Sequence, residues 1–126
     1  MTLVLLVVVG LAAAVGSQLR FAVDQLVQRR TGGVVLPLGT MTVNAVGSLV
    51  LGLVTGLALR GDVGAFTTSA VGTGLCGGLT TFSTWSYETL RLLEDGAYFE
   101  ALLNIALSLL LGLSLAALGL FAASHL

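Results

Sequence analysis

Long apolar runs separated by short polar breaks dominate the chain. The first extends from about Leu3 to Arg20, and its only strongly polar positions lie at the far end, Ser17, Gln18 and Arg20. In Phe21–Arg30, apolar Phe21, Val23, Leu26 and Val27 are interleaved with Asp24, Gln25, Gln28, Arg29 and Arg30. That pattern predicts either a helix that runs on into the membrane interface or a short surface helix after it. Thr31-Gly32-Gly33 then breaks the run. Pro37 opens the second run, where its missing N–H costs little, and this run lasts to about Leu59 before Arg60-Gly61-Asp62. The third covers about Phe66 to Leu93 and stops at Glu94-Asp95-Gly96; the fourth covers about Tyr98 to Ala122. A helix of roughly 20 apolar residues crosses a bilayer, so each run qualifies as a span.

The third run is not an ordinary membrane helix. Gly72, Gly74, Gly77 and Gly78 fall inside it, and each glycine weakens a helix because it loses the most backbone freedom on ordering. Thr80, Thr81, Ser83 and Thr84 follow at once, and short hydroxyl side chains cap helices that restart. The expectation is a broken span: a half-helix, an unwound piece near residues 77–81, and a second half from about Phe82. Main chain unpaired at membrane depth persists only where protein or a wet cavity satisfies it. Such breaks mark ion sites in transporters, with carbonyls turned to cations and half-helix N-termini to anions.

Composition narrows the class. A mean hydropathy of +1.06 with 9% charged residues points to a polytopic membrane protein and leaves no room for a soluble domain. Residues 1–126 therefore read as one four-span membrane domain. The cationic residues are five arginines, and with a net charge of −1 they offer no footprint for nucleic acid. The single cysteine, Cys76, excludes an internal disulfide. The N-terminal run lacks the basic n-region of a secretory signal and is expected to stay as a first helix. Arg20, Arg29, Arg30 and Arg91 fall on one side of the predicted spans and Arg60 on the other. The positive-inside rule then puts the odd loops in the cytoplasm and both termini outside.

Loops this short allow only an antiparallel up-and-down bundle. Gly52 with Gly56, and Ser108, Gly112 and Ala116, would let helix backbones approach closely. So few thin helices leave little room for an internal pathway, so a pathway needs a second subunit. Charges within the spans are scarce: Glu88 and Arg91 lie three apart and are expected to pair along one helix face, and Glu100 suits the start of the fourth span. Asn44 sits well inside the second span, and its amide offers two donors and an acceptor. With Thr40, Thr42, Asn104, Ser108 and Ser114 it makes either interhelical glue or a polar track for an ion that accepts hydrogen bonds. Phe82 and Trp85, three apart, share a face; they pack, or present ring edges to an anion. No nucleophile, base and orienting group come together, and no phosphate loop is present, so an enzyme is not expected.

Gly16-Ser17-Gln18-Leu19-Arg20, Pro37-Leu38-Gly39-Thr40-Met41-Thr42-Val43-Asn44 and Gly74-Leu75-Cys76-Gly77-Gly78-Leu79-Thr80-Thr81-Phe82-Ser83-Thr84 follow the order and spacing of the bacterial fluoride channels. The chain resembles the Fluc (CrcB) family over nearly its whole length. The resemblance implies an all-α membrane protein of four transmembrane helices with a broken third, and an antiparallel dimer of the dual-topology type in the bacterial plasma membrane. It further implies a passive, fluoride-selective channel that lets fluoride leave the cytoplasm. A structural sodium ion (Na+), not transported, would sit at the dimer centre on carbonyls that fall on Gly77 and Thr80. The family's pore aromatics fall on Phe82 and Trp85, its pore-side amide on Asn44 and its arginine on Arg20. Ser83 and Thr84 belong to the same motif, and Ser108 is expected on the polar track. The second pore aromatic is commonly phenylalanine in this family; the larger indole of Trp85 adds an N–H donor, and either narrows the pore or offers fluoride a further contact. Some members form homodimers and others pair with an oppositely biased paralogue; the arginine split leans towards a fixed orientation. The rival reading is a small proton-coupled multidrug exporter, which needs a membrane-buried carboxylate; a non-transporting assembly subunit would not need the broken span.

Overall fold

A computed structural model describes residues 2–126. Its regular structure is helical throughout: α1 (Leu3–Arg30), α2 (Leu38–Arg60), α3 (Ala65–Thr68), a π-helical stretch Ser69–Cys76, α4 (Gly77–Leu79), α5 (Phe82–Glu94) and α6 (Tyr98–Ser124). By length and composition α1, α2 and α6 can each cross a membrane. The third apolar run is the interrupted one, divided between α3 to α4 on one side and α5 on the other.

The helix ends follow their capping chemistry. The Thr2 hydroxyl accepts the Leu5 N–H at 3.3 Å and starts α1. The same helix continues without a break past Arg20 to Arg30, so the polar stretch after the first span is its extension. Pro37 precedes α2, as expected of its missing donor. Gly61, at φ 84°, ends α2 in the left-handed conformation that glycine adopts without penalty. The Arg60 guanidinium donates to the Ala123 carbonyl in the last turn of α6 and pairs with Asp62 at 3.1 Å, which ties two helix ends together.

Small residues decide which helices touch. A Cβ at Gly52 would overlap the main chain of Ala116, one at Gly119 the Leu49 carbonyl, and one at Gly56 the Ala123 side chain. The α2–α6 pair therefore packs backbone to backbone, as the small-residue ladders predict. The same device joins α1 to the interrupted span, where a Cβ at Gly16, Gly74 or Gly78 would meet the main chain of Leu75, Val9 or Ala13.

This packing corrects the extent of the break. Gly77–Leu79 is helical, and only Thr80 (ψ 158°) and Thr81 (φ −150°, ψ 124°) are extended. Intrinsic propensity alone would unwind the glycine-rich part. Close contact with α1 holds it instead, and its departure from α-helix is the wider π winding of Ser69–Cys76.

Candidate functional site

Two extended residues inside a helix leave peptide groups without helical partners, and Asn44 takes them up. Its Oδ1 accepts the Thr81 N–H at 2.7 Å, and its Nδ2 donates to the Thr81 carbonyl at 3.0 Å. The primary amide thus imitates a strand neighbour for one residue, satisfying both polar groups of Thr81 where bulk water is absent. The Thr81 hydroxyl caps the restart of α5 by accepting the Thr84 N–H at 3.2 Å. Thr81 itself is buried. It was not among the expected site residues, although a threonine directly before an apolar restart is the sequence signature of an N-cap.

Beside this clamp lies a cavity of about 370 Å³ whose lining includes Asn44, Gly77, Thr80, Phe82, Trp85 and Ser108. Six of the nine expected residues thus come together. Arg20 and Thr84 line a second cavity of about 220 Å³ with Ser17, Asp24 and Thr40, and Thr81 forms part of both walls. Ser83 lines neither; its hydroxyl stands 3.4 Å from the Thr81 Oγ1. The Phe82 and Trp85 rings are tilted at 46° with centroids 5.3 Å apart, inside the favourable range for aromatic pairs. Phe82 is 77% exposed within a single chain, so packing inside that chain does not account for its position.

The hydrogen bonds show which donors the main cavity offers. Thr80 commits its hydroxyl proton to the Cys76 carbonyl at 2.9 Å, and Ser48 commits its own to the Asn44 carbonyl at 2.7 Å. An amide nitrogen carries two protons, and only one from Asn44 is engaged among the described residues. Ser108 donates to the Asn104 Oδ1 at 3.4 Å, and the Trp85 indole donates to the Asn104 carbonyl at 3.5 Å. Both are long for hydrogen bonds. Asn104, fully buried, is itself held firmly, since its Nδ2 donates to the Thr89 hydroxyl at 2.8 Å and Thr89 donates to the Trp85 carbonyl at 2.8 Å.

Charged groups depart from expectation in one place. Glu88 does not pair with Arg91. It turns into the bundle, where its Oε1 accepts the Thr40 hydroxyl proton at 2.9 Å and its Oε2 has no partner among the described residues. Arg91 pairs instead with Glu94 at 3.6 Å on the exposed face. The partners are 48 positions apart in sequence, so helix periodicity carries no trace of the contact. Arg20 donates to the Thr80 carbonyl at 3.2 Å.

The carbonyls at the break bear on a cation. Thr81 directs its N–H to Asn44, so the Gly77 carbonyl loses the donor that an unbroken α-helix would supply. Gly77 is exposed in the single chain, and a Cβ there would meet nothing within 4 Å. The Thr80 carbonyl keeps a second lone pair beside the one Arg20 uses. Main-chain oxygens are hard donors, the kind that hard cations take as ligands. No cluster of three His, Cys, Asp or Glu side chains occurs among the described residues.

Comparison with known proteins adds to this geometry. Over 122 residues the chain is 48% identical to the fluoride-specific ion channel FluC 1 of Streptomyces avermitilis, covering 97% of this chain and 96% of that one. It is 52% identical over 120 residues to the FluC 1 channel of Frankia casuarinae, covering 91% of each. The FluC 2 channel of Mycobacterium tuberculosis is 45% identical over 119 residues, with 94% of this chain and 90% of that one covered. The family described as CrcB-like protein, Camphor Resistance (CrcB), matches residues 7–120. With a multi-pass helical fold, an interrupted third span and this match across most of its length, the chain belongs to the CrcB family.

Proposed function

We propose that the chain is a fluoride-selective passive ion channel of the cell membrane and not an enzyme. The observation that carries the reading is the interrupted helix clamped by Asn44 beside a cavity lined by hydrogen-bond donors and two aromatic rings. The names of the relatives supply the choice of fluoride over other halides. Fluoride is small and strongly hydrated, so a pathway must replace its water with donors. The free Asn44 proton, the Ser108 hydroxyl and the ring edges of Phe82 and Trp85 are of that kind. Arg20 and Thr84 stand at the second cavity, where a guanidinium draws anions towards the break. Ser83 belongs to the pathway through its hydroxyl beside Thr81.

The working unit is an antiparallel dimer, built either from two copies of this chain or from this chain and an oppositely biased paralogue. Support comes from the exposure of Phe82 and Gly77 in a single chain, which leaves one wall of the cavity to a second subunit. Gly77 and Thr80 would hold a sodium ion through their carbonyls together with those of the second subunit. The ion would add fixed positive charge to that of the Arg20 guanidinium, which donates to the same Thr80 carbonyl. Fluoride leaves the cytoplasm through this pathway down its gradient.

The test is fluoride efflux from liposomes containing this chain alone, read with a fluoride electrode and with chloride as control. Fluoride-selective flux is expected, and its occurrence without a second protein excludes an obligate heterodimer. Phe82→Ile is expected to abolish efflux while dimers persist; normal flux in that variant removes Phe82 from the pathway. The buried Glu88 carboxylate is the one feature that a proton-coupled drug exporter would use. Proton-driven uptake of a cationic dye in the absence of fluoride flux would establish that reading instead.

A further inference from the structure

Asn104 holds two donors loosely. Its own side chain is fixed by the 2.8 Å bond to Thr89, and Thr89 is fixed in turn to the Trp85 carbonyl. The two groups that lean on it from the cavity wall, the Ser108 hydroxyl and the Trp85 indole, do so at 3.4 and 3.5 Å. The Asn104 carbonyl does not depend on the indole, because in the middle of α6 it already accepts a helical N–H. Removing the indole proton from that carbonyl therefore orphans nothing. The indole N–H is a donor only, with no competing acceptor function, and it sits on the ring that forms part of the cavity wall.

We infer that Trp85 acts on the transported ion through its N–H as well as its ring edge. The indole N–H donates to the Asn104 carbonyl at rest and redirects that hydrogen bond, its N–H bond intact, to a fluoride ion in the cavity, with the Ser108 hydroxyl as a second donor able to exchange on the same acceptor residue. This inference rests on the proposed fluoride reading. It makes Trp85 a residue that discriminates between halides: fluoride is the strongest hydrogen-bond acceptor among them, so it gains most from a directed N–H. A phenylalanine at this position would offer only its weakly positive edge. Asn104 serves as a positioning residue, because it sets where both donors wait.

Trp85 is the only tryptophan of the chain, so its fluorescence reports this contact without interference. The full-length protein in detergent is titrated with sodium fluoride, and separately with sodium chloride at matched ionic strength. A saturable emission change with fluoride and none with chloride is expected. Trp85→Phe, and the isostere carrying benzothienylalanine in place of Trp85, both lack the donor. Their half-saturating fluoride in efflux assays should rise about tenfold, the loss of one hydrogen bond to a charged group. Emission that ignores fluoride, in protein that still moves it through liposomes, overturns the donor assignment and leaves the channel reading standing. Equal half-saturation in the parent and the isostere does the same. Absence of fluoride flux in the parent removes the channel reading, and a fluoride-specific emission change in that sample would keep the donor site. If Trp85→Phe fails to fold, the parent titration decides alone.

Discussion

Replacing Asn44 probes the clamp that keeps the third span interrupted. Its amide makes both polar bonds of the Thr81 peptide groups, at 2.7 and 3.0 Å, and Thr81 is buried. Leaving a buried donor or acceptor unsatisfied costs about 1–3 kcal/mol each, so losing the amide destabilises the fold by about 2–6 kcal/mol. Where in this range a variant falls depends on water. Asn44 lines a cavity large enough for several waters, so Asn44→Ala lets water reach Thr81 and should cost about 2 kcal/mol. Asn44→Leu fills the same space with apolar atoms and keeps water out, so its cost should approach the upper end, about 6 kcal/mol. Equilibrium unfolding in mixed micelles measures both, and hydrogen exchange at the Thr81 amide follows the site directly. The order Leu worse than Ala is the sensitive part. Both variants unfolding within about 0.5 kcal/mol of the parent, the range of ordinary surface changes, would refute the clamp.

Three further outcomes follow from the glycines. Gly78→Ala puts a methyl against the main chain of Ala13, which cannot retreat as a side chain would, and should cost about 1–3 kcal/mol in the same unfolding assay; Gly10→Ala meets nothing within 4 Å and should stabilise α1 by about 0.5–1 kcal/mol. Gly77→Ala also meets nothing within its own chain, so any defect must come from a neighbour. In the proposed dimer it should lower the dimer fraction seen by cross-linking while helix content by circular dichroism stays unchanged.

The spans were legible because hydropathy is read over some 20 residues and tolerates local error. The small residues at Gly52, Gly56 and Ala116 were legible too, since close backbone approach in a bilayer has few other signatures. The position of the break was only partly so. Glycines at 74 and 78 look like weak points in one dimension, yet contact with α1 turns them into contact points. The π winding of Ser69–Cys76 leaves no mark in composition. Asn44 stood out as an amide at depth, but its partner, a peptide group 37 residues away, could not be read from spacing. Glu88 misled for a related reason: Arg91 was the nearest opposite charge in sequence, and a neutral hydroxyl on another helix won.

The wide turns of Ser69–Cys76 also act as an angular setting for everything after them. Each α-helical residue advances about 100° around its axis. Rewinding the segment as α-helix at unchanged length would turn everything after it by roughly the 100° of one residue, swinging Thr81 away from Asn44 and the Phe82 and Trp85 rings off the cavity. A change of winding that a surface loop would absorb is here a rotation of the cavity wall, so the π winding of those eight residues constrains the protein as firmly as side-chain chemistry does.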